Sequence, residues 1–237
     1  MQIVNSLLAE LAQAARSDVT RLGETVALRR GDRLTTVGET PRFVYFPRGG
    51  MISVEASSSA GHSLELAGVG REGLVGLSAI LGAQAANWQC VVRAETLATR
   101  VRVADLRPLL QVEAARTVLL SYAGRVIDEV VQVGFCNGSH AVLERLCRWL
   151  LTTRDCLDAD CIQVTQSDLM QVLGVAHTAV RKAVADLEHA DAILSSRGRM
   201  LVRSLPRLEK TTCDCYRAIR VLRHFQTAVT DVTTKTT

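Results

Sequence analysis

Apolar positions follow two rhythms along this chain, and the changes between them mark its organisation. Residues 3–15 place Leu7, Leu8 and Leu11 on one side of an amphipathic helix. From Val19 the texture becomes short β-type runs: Glu24–Leu28, Phe43–Phe46, Met51–Ala56, Ser63–Leu66, Trp88–Arg93 and Leu97–Val103. Gly31-Asp32, Gly38-Glu39 and Gly49-Gly50 punctuate them, and Ser57–Gly61 reads as a hairpin tip. Leu74–Leu81 fits a short helix between Gly73 and Gly82. Many short strands with frequent turn signals predict a small sandwich or barrel.

The helical rhythm returns at Val103, and Leu109 to Val133 predicts one unbroken helix. Val112, Leu119, Val126 and Val133 recur every seven residues, flanked by Leu120, Ile127 and Val130. Such a seam suits a dimer helix with a second stripe on the β domain, and equally a long helix buried in one chain. Cys136-Asn-Gly-Ser139 is the expected break and hinge, with Ser139 capping a helix through Leu151 that turns Leu143, Leu146 and Leu150 inward. Cys161–Val164 is a short strand.

Residues 165–188 carry the sharpest pattern. Thr165 is a helix cap, and Asp168 puts a carboxylate where first-turn N–H groups lack partners. Leu169, Val172 and Leu173 share one face, and Gly174 sits where a helix ends in a left-handed residue. A second helix starts near Ala176 and buries Val180, Val184 and Leu187. Two short helices around such a turn form a helix-turn-helix, whose second helix enters the DNA major groove. Its outward residues are His177, Thr178, Arg181 and Lys182. Ala192–Ser195 and Arg199–Arg203 then form a hairpin wing around Ser196-Arg-Gly, with Arg197, Arg199, Arg203 and Arg207 and no acid between Asp191 and Glu209. That balance points to phosphate contact. Residues 208–226 fit a final amphipathic helix.

Composition narrows the reading. The 237 residues suffice for two modest domains, and a net charge of +4 is compatible with nucleic acid without demanding it. An apolar run long enough to span a membrane is absent, and the first residues lack the pattern of a secretory signal. The expectation is a cytoplasmic protein with no membrane partner. Seven cysteines, scattered late in the chain, fit reduced thiols better than a disulfide framework.

With these elements in order, the chain resembles the Crp/Fnr family of bacterial transcription regulators from about residue 7 to 210. The resemblance rests on Gly31, Gly38, Tyr45, Gly50, Gly70, Gly73 and Gly76 at the turns of a β-roll. It rests also on Cys136-Asn-Gly-Ser-His and Glu144-Arg-Leu-Cys-Arg-Trp-Leu-Leu at a hinge and first helix. It implies an α+β fold: an N-terminal cyclic-nucleotide-binding-type β-roll over 1–108, a long dimerisation helix and hinge over 109–136, a C-terminal winged helix-turn-helix over 137–208, and a last helix and tail over 209–237. It further implies a homodimer on a palindromic double-stranded DNA site, with RNA polymerase as a candidate protein partner. His177, Thr178 and Lys182 match the family's base-reading positions, where an Arg and a Glu are usual. Arg181, Arg197 and Arg199 are expected on the DNA backbone.

The sensor half departs from the family. Cyclic-nucleotide binders carry Gly-Glu-Leu and then Arg-Ser/Thr-Ala; here Gly76-Leu77-Ser78 and Trp88-Gln89-Cys90 stand in those places. Arg71 and Arg93 are the nearby cations, so the candidate effector pocket is Arg71, Leu77, Trp88, Gln89 and Arg93. A buried phosphate without a cation is costly, so cyclic nucleotide is not the expected effector and any small-molecule effector is of unknown kind. The absence of cysteine before Cys90 excludes the family's N-terminal iron–sulfur arrangement. Cys156 with Cys161, and Cys213-Asp-Cys215, lack a metal-binding spacing, and His62, His140, His189 and His224 lack ligand partners; no metal or cofactor is expected. An enzyme on the β domain would need clustered histidines, and it has only His62. A scaffold that has lost DNA binding is the other alternative, favoured slightly by Ala176 where a hydroxyl cap is common.

Overall fold

The computed structural model describes residues 5–17 and 19–224. Helix α1 (Ser6–Ala15) starts at Asn5, whose Oδ1 accepts the Leu8 N–H at 2.8 Å. The Asn5 amide also donates to the Pro47 and Gly73 carbonyls, so one buried side chain fixes both the helix start and its seat on the β domain. Strands β1 (Gly23–Leu28), β2 (Arg33–Thr35), β3 (Phe43–Pro47), β4 (Met51–Ser57) and β5 (Ser63–Val69) follow. After the short helix α2 (Leu77–Ile80) come β6 (Gln89–Ala94) and β7 (Thr96–Arg102). They form two antiparallel sheets, ordered β1-β7-β3 and β2-β6-β4-β5. Leu28, Ile52, Val69, Val92 and Ala98 form the buried cluster of this roll.

Helix α3 (Val103–Leu106) and a 3-10 turn at Arg107–Gln111 lead into α4 (Glu113–Ser139). The expected helix from Leu109 is therefore delayed, because Val112 is extended and caps α4. At the other end α4 runs through Cys136-Asn-Gly-Ser139. The break falls at His140 and Ala141, both extended. Ser139 is not a cap: Ala141 precedes α5 (Val142–Leu157), and the Glu144 carboxylate accepts the Ala141 N–H at 2.8 Å. The hinge thus needs only two extended residues, while Gly138 stays helical.

Strand β8 (Cys161–Gln163), helices α6 (Gln166–Leu173) and α7 (His177–His189), and strands β9 (Ile193–Ser196) and β10 (Arg199–Val202) complete the winged helix-turn-helix, with sheet order β8-β10-β9. The tail helix expected over 208–226 is two helices, α8 (Leu205–Thr211) and α9 (Cys215–His224), separated where Thr212 becomes extended; residues past 224 lie outside the described residues. No helix among the described residues is long and apolar enough to cross a membrane.

The two halves are packed together. Met51 of β4 belongs to the same buried cluster as Leu146, Trp149, Leu169, Val180, Leu187 and Met200. Leu64 of β5 lies against Gly174, where a Cβ would stand 3.1 Å from its methyl. Arg30 and Arg93 of the roll both pair with Asp168 of α6. From the far side, Arg223 of α9 pairs with buried Glu129 of α4 and donates to the Gly68 carbonyl of β5 at 2.8 Å.

Candidate nucleic-acid interface and sensor cavity

The helix-turn-helix is built as its local sequence predicts. Thr165 Oγ1 accepts the Asp168 N–H at 3.1 Å, and Asp168 accepts the Thr165 N–H at 2.8 Å, a reciprocal cap at the start of α6. Gly174 closes α6 in the left-handed region at φ 62°. Ala176, extended and without a capping side chain, precedes α7, so Thr178 is not the cap. Val180, Ala183, Val184 and Leu187 are buried, which turns His177, Thr178, Arg181 and Lys182 to solvent on the other face.

The charges on that surface divide into paired and unpaired. Lys182 donates to Asp186 at 2.8 Å along α7. Arg203 and Arg207 of the wing region both pair with Asp191. Arg181, Arg197 and Arg199 have no ion pair among the described residues, and all three are exposed. Arg197 has positive φ at 27° and precedes Gly198 at the wing tip. Sequence alone treats the four wing arginines alike; only the two at the tip keep their full charge.

The expected effector residues do not converge. Leu77 and Trp88 line a cavity of about 380 Å³ between the roll and α4, together with Val75, Val126 and Ile127. Arg71 is exposed at the α1 contact, where its carbonyl accepts the Ser6 N–H. Gln89 and Arg93 point to the other side of β6, both bonding the buried Glu55 carboxylate. Adjacent residues in a strand face opposite ways, which separates Trp88 from Gln89. The cavity's own cation is Arg125, unforeseen from the sequence. It stacks on Tyr122 at 4.8 Å and donates to the Glu72 carbonyl at 3.1 Å, while its buried Nε has no partner among the described residues. Glu72 and Glu129 share the wall. Tyr122 closes the cavity floor: its hydroxyl bonds the Leu74 N–H and carbonyl, both at 2.9 Å. Gly73 must be glycine there, since a Cβ would come 2.6 Å from that oxygen.

The heptad residues also divide. Leu119 and Val133 are buried within this chain, Val126 packs against the same core as Leu119, and Val112 lies before the helix. They are not a free seam. The apolar row that α4 leaves to solvent is Leu120, Ile127, Val131 and Phe135, each more than half exposed.

The cysteines hold a second surprise. Cys156 is buried beside Arg223, whereas Cys161 is exposed on β8, so those two do not form a pair. Cys136, His140, Cys213 and Cys215 do come together. Cys213 lies before α9 rather than on it, so the two sulfurs of Cys213-Asp-Cys215 turn the same way. A hydrogen bond from the Cys136 thiol pulls Cys213 down to about 5 and raises Cys136 itself. The signal in the sequence is Cys136 and His140 four residues apart at a helix end.

Comparison with known proteins agrees with this architecture. The cyclic nucleotide-binding domain family matches residues 25–113, and the Crp-like helix-turn-helix domain family matches residues 144–211. Among solved structures, FixK2 from Bradyrhizobium japonicum is similar with a TM-score of 0.68 at 17% identity, over 81% of this chain and 98% of its own. A CRP-family transcriptional regulator from Thermus thermophilus has a TM-score of 0.68 at 18% identity, over 78% and 95%. The c-di-GMP responsive global regulator CLP of Xanthomonas campestris has a TM-score of 0.66 at 11% identity, over 83% and 99%. No curated protein sequence matches the chain.

Proposed function

This chain belongs to the Crp/Fnr family of transcription regulators, and we propose that it acts in the cytoplasm as a homodimer that binds a palindromic DNA site and responds to a small apolar effector. The carrying observation is α7, which turns His177, Thr178, Arg181 and Lys182 outward from a capped helix-turn-helix beside a wing tip with two unpaired arginines. His177 donates to a guanine acceptor, Thr178 meets a thymine methyl, and Lys182 donates to guanine O6 or N7. Arg181, about 100° around the helix from Lys182, meets phosphate, as do Arg197 and Arg199. The scaffold alternative has less support, because nothing on α7 or the wing tip replaces these donors with acids.

The row Leu120, Ile127, Val131 and Phe135 supports dimerisation through α4: an apolar stripe of that length along one helix is covered in a stable regulator. In a dimer the two α7 helices lie about one DNA turn apart. The cavity supports an effector unlike a cyclic nucleotide. Its walls are mostly apolar, Leu77 and Trp88 occupy the places of the family's Glu and Arg, and Arg125 faces Glu72 and Glu129. A ligand with an apolar body and one acceptor atom for Arg125 Nε fits these walls. The size is in the usual range for small-molecule pockets.

Selection of bound sequences from a random DNA pool tests the reading. A palindrome with half-sites about one turn apart is expected. Recovery of no enriched sequence by the full-length protein would overturn it.

A further inference from the structure

The group formed by Cys136, His140, Cys213 and Cys215 has no part in the DNA-binding surface or the cavity. Its four ligand atoms lie within 4.8 Å of one another. Cys136 Sγ is 3.5 Å from Cys213 Sγ, and Cys215 Sγ is 3.6 Å from His140 Nδ1. Ligand–metal distances of about 2.3 Å for sulfur and about 2.0–2.1 Å for imidazole nitrogen give tetrahedron edges of about 3.8 Å and 3.5 Å. The observed separations are therefore those of a preformed tetrahedral shell. We propose that these three cysteines and one histidine bind a single Zn²⁺ ion, which ties the end of α4 to the α8–α9 corner.

The surroundings suit such an ion. Cys136, Cys213 and Cys215 are buried, which excludes the exchangeable water of an open, catalytic site. Ligand atoms this close together surround a centre at single-ion distance and leave no room for bridging sulfides. Gln132 Nε2 donates to Cys215 Sγ at 3.1 Å, and Phe135 packs edge-on against the His140 ring at 5.7 Å, so two ligands are oriented from outside the shell. Three thiolates with Zn²⁺ leave one net negative charge. Arg145 and Arg148, both buried on the adjoining face of α5, supply the opposite sign, and Arg148 Nε has no partner among the described residues. The ligands come from the last turn of α4, from the hinge residue His140, and from the corner preceding α9. An ion there fixes the hinge between the sensor roll and the DNA-binding half.

Elemental analysis of the full-length protein purified under reducing conditions, together with Co²⁺ substitution, tests this. About one equivalent of zinc per chain is expected. Chelation and addition of Co²⁺ should give intense thiolate-to-cobalt charge transfer with tetrahedral ligand-field bands, abolished by Zn²⁺. Cys213→Ser with Cys215→Ser should remove the metal, whereas Cys161→Ser should leave it. His140→Cys should keep one Co²⁺ and strengthen the charge-transfer band, a readout that does not depend on the double variant folding. Weak octahedral Co²⁺ spectra for the wild type, a bound iron–sulfur chromophore, or a Cys136–Cys213 disulfide in metal-free protein would each overturn the proposal.

Discussion

In the free protein the Lys182 ammonium rests on Asp186 one helical turn along, 2.8 Å away and in solvent. An exposed pair of this spacing is worth only about 0.3–0.5 kcal/mol. A bidentate contact to guanine is worth about 1–3 kcal/mol, so DNA wins the lysine. Lys182→Ala is expected to weaken the preferred site by about 1–3 kcal/mol and relax choice at one base position, measured over a panel of site variants. Arg197→Ala should instead weaken all sequences alike and reduce the salt slope by about one unit. Equal loss on all sites for Lys182→Ala would place α7 in another docking register. Arg93 is a different kind of residue, because its partner Glu55 is buried on β4. Removing the cation alone strands that carboxylate, so Arg93→Met should cost about 3–5 kcal/mol in denaturant unfolding. Arg93→Met with Glu55→Leu should recover much of the loss. If the double variant is no better than the single one, the cost lies in the Asp168 contact instead. None of this pairing is legible in the sequence, where Arg93 stands only as a candidate phosphate ligand. Glu55 and Asp168 are 38 and 75 residues from it, and no local periodicity relates them.

At the scale of elements, α4 shows what a hydrophobic repeat can and cannot say. A seven-residue spacing is present in two adjacent rows, Leu119 with Val126 and Val133, and Leu120 with Ile127. These rows differ by one residue, a rotation of about 100° on the helix. Which row turns to the roll depends on Tyr122 reaching Leu74, a contact that spacing along α4 does not contain. The helix-turn-helix is legible because its determinants are local: a cap at Thr165, a left-handed Gly174 and two short apolar stripes. The hinge falls beyond its expected place because glycine weakens a helix by only about 1 kcal/mol, which the packing of Val133 and Cys136 offsets. The division of rows yields a prediction. Leu120→Glu with Ile127→Glu is expected to split the dimer into folded monomers in analytical ultracentrifugation, with circular dichroism unchanged. Leu119→Glu should unfold the roll-facing core instead, since it buries a charge. A Leu120/Ile127 variant that sediments as a dimer would move the interface away from α4.

For the whole molecule, the cavity and the DNA-binding half share struts. Glu129 lines the cavity and is held by Arg223 of α9, while Gly68, also in the wall, accepts from the same guanidinium. On the other face Arg30 and Arg93 hold Asp168 at the start of α6. Burial pushes the Asp168 carboxyl up, but its Thr165 bonds and the two arginines outweigh that and leave it below its ordinary 3.8. A lowered carboxylate gives stability that is present above the unfolded value and fades as pH falls through the folded one. The docked arrangement is therefore insensitive to pH in the neutral range, and a signal must come through the cavity. What the cavity accepts follows from its charges. A cyclic phosphate brings one full negative charge into walls that hold Glu72 and Glu129. The one cation among the described lining residues, Arg125, is stacked on Tyr122, and its buried Nε is the donor left unpaired. Burying that charge without a bidentate partner costs several kcal/mol, enough to erase micromolar affinity, which is worth about 8 kcal/mol in total. Calorimetric titration with cyclic AMP and with cyclic GMP is accordingly expected to show no saturable binding at micromolar concentrations. An environment-sensitive apolar fluorophore should bind and be displaced when Ala123→Trp fills the cavity. Saturable micromolar heat with either nucleotide, lost in Arg125→Met, would mean that Arg125 leaves Tyr122 to take the phosphate, and the apolar reading of the effector would fall.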